Sequence, residues 1–111
     1  ALGDCPELIF HREASTRHNY HLLAAQIGND LRNEFIREVA NRHGIQCVVQ
    51  YYPLNRYPFY QKLGMGKANC PNADIFFDNM MSFPFHHSLK DSEIDLIISA
   101  SRETLKQLRN P

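Results

Sequence analysis

The sequence predicts a small α+β domain within the broader α/β class, a sheet of about three strands covered by helices in the order β-α-β-loop-α-β-α. Three observations predict it. Tyr20–Ile27 and Ile45–Tyr52 are apolar, β-branched or aromatic runs that stop at Gly28 and Pro53. Two stretches, from Asn29 to His43 and from about Asp91 onward, repeat apolar residues at helical spacing. The chain has 111 residues, room for one domain and no second.

Each element has a local reason. Residues 1–14 are polar and irregular apart from an apolar patch at Leu8–Phe10, and read as a poorly structured start or linker. Tyr20–Ile27 reads as a buried strand. In the helix that follows, Asn29 is the expected cap, Asp30 suits the positive end of the helix dipole, and Leu31, Phe35, Ile36 and Val39 share one face. Gly44 supplies the left-handed turn that ends it. Ile45–Tyr52 reads as a second strand, ended by Pro53. Leu54–Leu63, aromatic-rich and carrying Pro58, reads as a loop with a short helical turn. Cys70–Pro71 leads into a short helix over Asn72–Asn79. Met80–Phe85 is extended, and Pro84 argues for an edge strand or a strand end. The last helix starts near Asp91 and places Ile94, Ile97, Ile98, Leu105 and Leu108 on one stripe.

Composition excludes several classes. Twelve basic and twelve acidic side chains cancel, which leaves no basic excess for nucleic acid. No apolar run approaches the roughly 18 residues of a membrane span, and Asp4, Glu7, His11 and Arg12 interrupt any signal-like stretch. Cys5, Cys47 and Cys70 are odd in number and form no CxxC pair, so a reducing cytoplasm is the expected setting. The chain begins with Ala rather than Met, as an excised domain would, although Met removal gives the same terminus.

No self-contained active site is visible: GxGxxG, P-loop, GxSxG and HExxH motifs are all absent. His86-His87 point apart on an extended segment and lack the converging ligands of a zinc site, so no metal is expected. Tyr20 and His21 would face opposite ways on a strand. One reading has either of them donating to a polar ligand, the other has them packed or solvated. In Gln50–Tyr60, four Tyr, two Pro and Arg56 fall in eleven positions. Arg56 has the fork that grips phosphate or carboxylate, and Tyr can stack on or bond a sugar. The competing reading is a satellite cluster that pins the loop. Phe76 and Met80 share a helical face and read as packing.

Eight stretches, in order over about residues 15–105, resemble the C-terminal domain of the DegT/StrS family of sugar-nucleotide aminotransferases. They are His18–Leu22, Leu31–Phe35, His43–Ile45, Tyr51–Leu54, Tyr57–Tyr60, Cys70–Asp74, Met81–Phe85 and Ile94–Ile98. The resemblance implies that residues 15–111 form the small C-terminal domain of a fold-type I aminotransferase. The intact enzyme would move an amino group from glutamate to a nucleotide-linked keto-sugar, in lipopolysaccharide, capsule or deoxyamino-sugar synthesis, using pyridoxal 5'-phosphate. It would be a homodimer whose Schiff-base lysine lies in a large N-terminal domain. Lys62, Lys67, Lys90 and Lys106 match no such position, so this chain is expected to carry no catalytic residue and to hold no cofactor alone.

Many members of the family place a His after Pro-Leu. Here that position is Asn55, which keeps hydrogen bonding but gives up titration and positive charge. The resemblance thus implies that Tyr20 or His21, Asn55 and Arg56 contact the sugar or its diphosphate. Two other readings remain: a free-standing, non-catalytic module of the same fold, and a domain of a sugar 3-dehydratase in which the lysine is replaced.

Overall fold

The sheet has three strands, all antiparallel, in the order β1 (Leu8–Phe10), β2 (Leu23–Ile27), β3 (Met80–Phe83). The computed structural model describes residues 1–11 and 17–110. Register sorts the side chains by face: Leu8 pairs with Ile27, Phe10 with Ala25, Ala25 with Met81 and Leu23 with Phe83. Strand side chains alternate, so these apolar residues line one face. Against them pack α1 (Arg32–His43) and α4 (Asp91–Arg109), through Phe35, Val39, Ala100 and Leu105. α2 (Pro58–Lys62) and α3 (Pro71–Asn79) carry the long connection between α1 and β3.

Three strands and the covering helices match the expected class, but one strand is exchanged. Leu8–Phe10, in the stretch read as poorly structured, forms β1, and Leu2 and Cys5 beside it are buried in the core. A three-residue strand is too short for a sequence period to register. It exists because β2 and α4 give it partners. Arg102 holds Asp4 with nitrogen–oxygen distances of 2.7 and 3.0 Å, and Arg109 holds Glu7.

Conversely, Ile45–Tyr52 is not a strand. It makes one bridge, Val48 to Ser82 of β3, with N–O distances of 3.1 and 2.7 Å. Ile45 and Cys47 are buried, whereas Val49, Tyr51 and Tyr52 are exposed. β-propensity measures fit to a paired, half-buried surface, and four-residue β3 offers little to pair with.

The first predicted strand shortens to Leu23–Ile27, and α1 begins at Arg32 rather than at an Asn29 cap. Asn29 and Asp30 instead make the turn between them with φ of 60° and 58°, a region these two residues tolerate better than most. Gly44 ends α1 as expected, at φ 67°, and its N–H donates to the Ala40 carbonyl. At the start of α4 the Glu93 carboxylate accepts the Lys90 backbone N–H at 2.8 Å, half of a capping box. Among the described residues no helix is long and apolar enough to cross a membrane.

Candidate functional site

The Arg56 side chain ties the 51–70 connection to α3. Arg56 Nε donates to Asp74 Oδ1 at 2.7 Å, while Nη1 and Nη2 donate to the two oxygens of Asp78 at 2.8 and 3.1 Å. Asp74 and Asp78 are four apart on α3 and so lie on one face. The Phe77 ring stacks beneath, its centroid 5.7 Å from the Arg56 guanidinium and 5.9 Å from that of Arg32. Arg32 also donates to the Phe77 carbonyl at 2.6 Å. Tyr52 packs edge-on against both Tyr57 and Phe77, at 4.9 and 5.2 Å. The guanidinium bonds hold the Asp78 carboxyl below its usual range and push the Arg56 pKa up.

These shifts give a pH test. Asp78 has its folded-state pKa lowered, so the pairing stabilises the fold above the ordinary carboxylate pKa and is lost as pH falls through the lowered value. Asp78→Asn should therefore lower Tm by a constant amount at neutral pH, and the gap should close below about pH 4. A gap independent of pH would mean that charge pairing is not its source.

Beside this clamp lies a recess of about 290 Å³, lined by Pro53, Leu54, Asn55, Tyr60, Met65, Ala68, Cys70 and Ala73. A 3-10 turn over Leu54–Arg56, closed by the Arg56 N–H on Pro53 O at 3.0 Å, presents Asn55 there. Asn55 Nδ2 reaches Ala68 O at 3.4 Å, Gln61 Nε2 donates to Asn55 O at 3.3 Å, and among the described residues Asn55 Oδ1 has no partner. A second 3-10 turn, Met65–Lys67, closes the recess. A Cβ on Gly66 would sit 2.6 Å from Gln61 Cγ, so only glycine permits this approach.

Tyr20 and His21 lie elsewhere. They precede β2 rather than belonging to it, so strand alternation does not govern them. Tyr20 has φ 49°, a costly conformation for a bulky residue. It is held by its N–H on His18 Nδ1 at 2.8 Å and by ring contact with His18 at 4.5 Å. Tyr20 lines a recess of about 130 Å³ with His11 and His18, and His21 is exposed. Neither recess contains residues from both pairs. The four residues singled out from sequence thus form two separate groups within this chain.

Sequence reasoning missed Asp74, Asp78 and Gln61. The signal for the first two was present: α3 carries acidic residues four apart and no Lys or Arg to pair with them.

A cavity of about 570 Å³ opens between the sheet and α4 and is lined mainly by apolar groups such as Leu2, Phe10, Phe85, Ile94 and Ile98. His86 and His87 sit at its edge, both exposed, and among the described residues no group of metal-binding side chains converges. With no Lys, Arg, Asp or Glu in its wall it suits packing better than a phosphorylated ligand. Among the described side chains, Lys106 lines a further recess of about 420 Å³, which it shares with Asp4, Arg102 and Arg109. The Asp4 carboxylate in that recess is already bound by Arg102, which leaves no free acid for a pyridine nitrogen, so this recess does not by itself fit pyridoxal phosphate. Burial raises the Cys47 thiol to about 11, which makes it a poor nucleophile at neutral pH.

Comparison with known proteins agrees with this picture. The spore coat polysaccharide biosynthesis protein SpsC of Bacillus subtilis is 30% identical over 95 residues, which cover 81% of this chain and 24% of that protein. The uncharacterized protein MJ1066 of Methanocaldococcus jannaschii is 28% identical, over 84% of this chain and 25% of its own length. The chain thus spans about a quarter of these relatives. Among solved structures, the sugar aminotransferase Spr1654 of Streptococcus pneumoniae, in apo and PMP forms, superposes with a TM-score of 0.79 at 29% identity. That match covers 91% of this chain and 26% of Spr1654. Helicobacter pylori PseC, an aminotransferase of pseudoaminic acid biosynthesis, shares the fold at TM-score 0.82 and 22% identity, over 96% of this chain and 29% of PseC. The model of the DegT/DnrJ/EryC1/StrS aminotransferase family matches residues 1–102, β1 included, and the chain belongs to that family.

Proposed function

We propose that this chain is the C-terminal small domain of a cytoplasmic, homodimeric aminotransferase that moves an amino group from glutamate to a nucleotide-linked keto-sugar in surface-polysaccharide synthesis. The family match over residues 1–102, in a chain a quarter the length of its relatives, carries the reading. The name of SpsC and the sugar aminotransferase Spr1654 support the sugar substrate. Three free cysteines suit a reducing compartment.

Pyridoxal phosphate, bound in the intact enzyme through a lysine outside these residues, would supply the amino-transfer chemistry. This chain's part is to bind and orient. Asn55 lines its recess, and its carboxamide oxygen, without a partner among the described residues, is suited to a sugar hydroxyl. Tyr20 and His21, on a separate exposed turn, offer a phenol and an imidazole to the same ligand once the remaining domain brings the two groups to one cleft. Leu54, Phe59, Leu63 and Met65 are each more than half exposed. Such a surface suits docking on the rest of the polypeptide.

Borohydride reduction with pyridoxal phosphate, followed by mass spectrometry, tests the assignment. The 111-residue chain should give no site-specific pyridoxyl adduct. The intact polypeptide should give one, at a lysine outside these residues, and glutamate should discharge it. A single adduct within this chain would overturn the reading, and an intact protein that forms no adduct would favour a dehydratase.

A further inference from the structure

We infer that Arg56 is a positioning residue for Asn55, acting through its clamp on Asp74 and Asp78 rather than by touching the ligand; this rests on the reading of Asn55 as a sugar-nucleotide contact. Three observations carry it.

The first is geometric. The fork engages two carboxylates at 2.7 to 3.1 Å. Three of its five N–H donors are committed to them, and the ring of Phe77 covers the same group. The second is electrostatic. Arg56 and Arg32 are offset by Asp74 and Asp78, so the cluster has no net positive charge with which to hold a diphosphate. The third is mechanical. Asn55 immediately precedes Arg56, in a three-residue turn with no buried side chain of its own. Among the described residues its side chain has one long hydrogen bond, 3.4 Å to Ala68 O. Among the described residues, no other hydrogen bond or ion pair ties residues 54–56 to α3.

A bidentate arginine fixes orientation as well as distance. Lysine would keep the charge but lose the fork. The clamp thus sets where the Asn55 oxygen points, and a displacement of about 1 Å in such a group is enough to weaken recognition severalfold or more.

The test is a mutant cycle in the intact polypeptide, read as Kd for the tightest of four non-reacting probes: UDP-N-acetylglucosamine, dTDP-glucose, GDP-mannose and CDP-glucose. Asn55→Ala, Arg56→Gln and Asp74→Asn/Asp78→Asn should each weaken binding roughly tenfold. Combining Arg56→Gln with the two Asn changes should cost no more than either alone, and Arg56→Lys should fall between wild type and Arg56→Gln. Thermal melts confirm that each variant is folded at the assay temperature, and Arg56→Lys with Asp78→Asn alone keeps the cycle readable if the harsher changes unfold it. Loss on Arg56→Gln with wild-type affinity, or tighter binding, on removal of the two carboxylates would place Arg56 directly on the ligand and overturn the inference. So would clamp variants that shift Tm and leave Kd unchanged. Wild-type affinity in Asn55→Ala, or no binding of any probe, would instead overturn the reading of Asn55 on which the clamp depends.

Discussion

Phe35→Ala is expected to destabilise the domain by about 3–5 kcal/mol, the usual cost of emptying a fully buried aromatic site. Phe35 is 0% exposed and meets Phe83 edge-to-face with ring centroids 6.3 Å apart. It joins α1 to the β3 edge of the sheet, and Phe83 in turn stacks on Phe10 of β1 at 6.3 Å. Through Phe83, one ring therefore supports packing that reaches both edge strands. A domain of this size has a total stability of only about 5–15 kcal/mol and buries a modest share of its surface. The variant should lose a large part of its urea midpoint. A loss below about 1 kcal/mol would mean that the site collapses around the gap, and that the α1–β3 contact is not central to the fold.

Leu105→Ala is expected to cost about 2–5 kcal/mol, whereas Leu96→Ala on the same helix should stay within about 0.5. Leu105 is 1% exposed and Leu96 is 47% exposed. The pair separates burial from helix propensity, because both changes replace leucine with alanine in the same helix. Equal effects would show that α4 is held by its own helical tendency rather than by docking on the core. Chemical denaturation of the two variants side by side reads the difference.

Much of the architecture was legible from local pattern. α1, α3 and α4 follow from apolar spacing and from Gly44 and Pro71, and β3 from a β-prone run stopped by Pro84. The order of motifs from His18 to Ile98 pointed to the family that the comparison then matched over residues 1–102. Helix periods and turn residues act within a few positions of one another, which is why sequence alone could carry them.

The rest depended on partners far away in the chain. Leu8–Phe10 became a strand because Leu23–Ile27 lies beside it and Arg102 and Arg109 reach back to Asp4 and Glu7. Ile45–Tyr52, with far better β-forming residues, paired once, because the β3 edge is only four residues long. Ile94 belongs to the same sequence stripe as Leu105 yet is 42% exposed, since it lines the open cavity between the sheet and α4. For Arg56 the sequence offered a free fork, and tertiary packing gave it two carboxylates on α3. Sequence by itself determined the helices, the breaks and the family. Which strand pairs, which face is buried and which charge is already matched were decided in three dimensions, because burial and ion pairing depend on what the fold brings within a few ångströms.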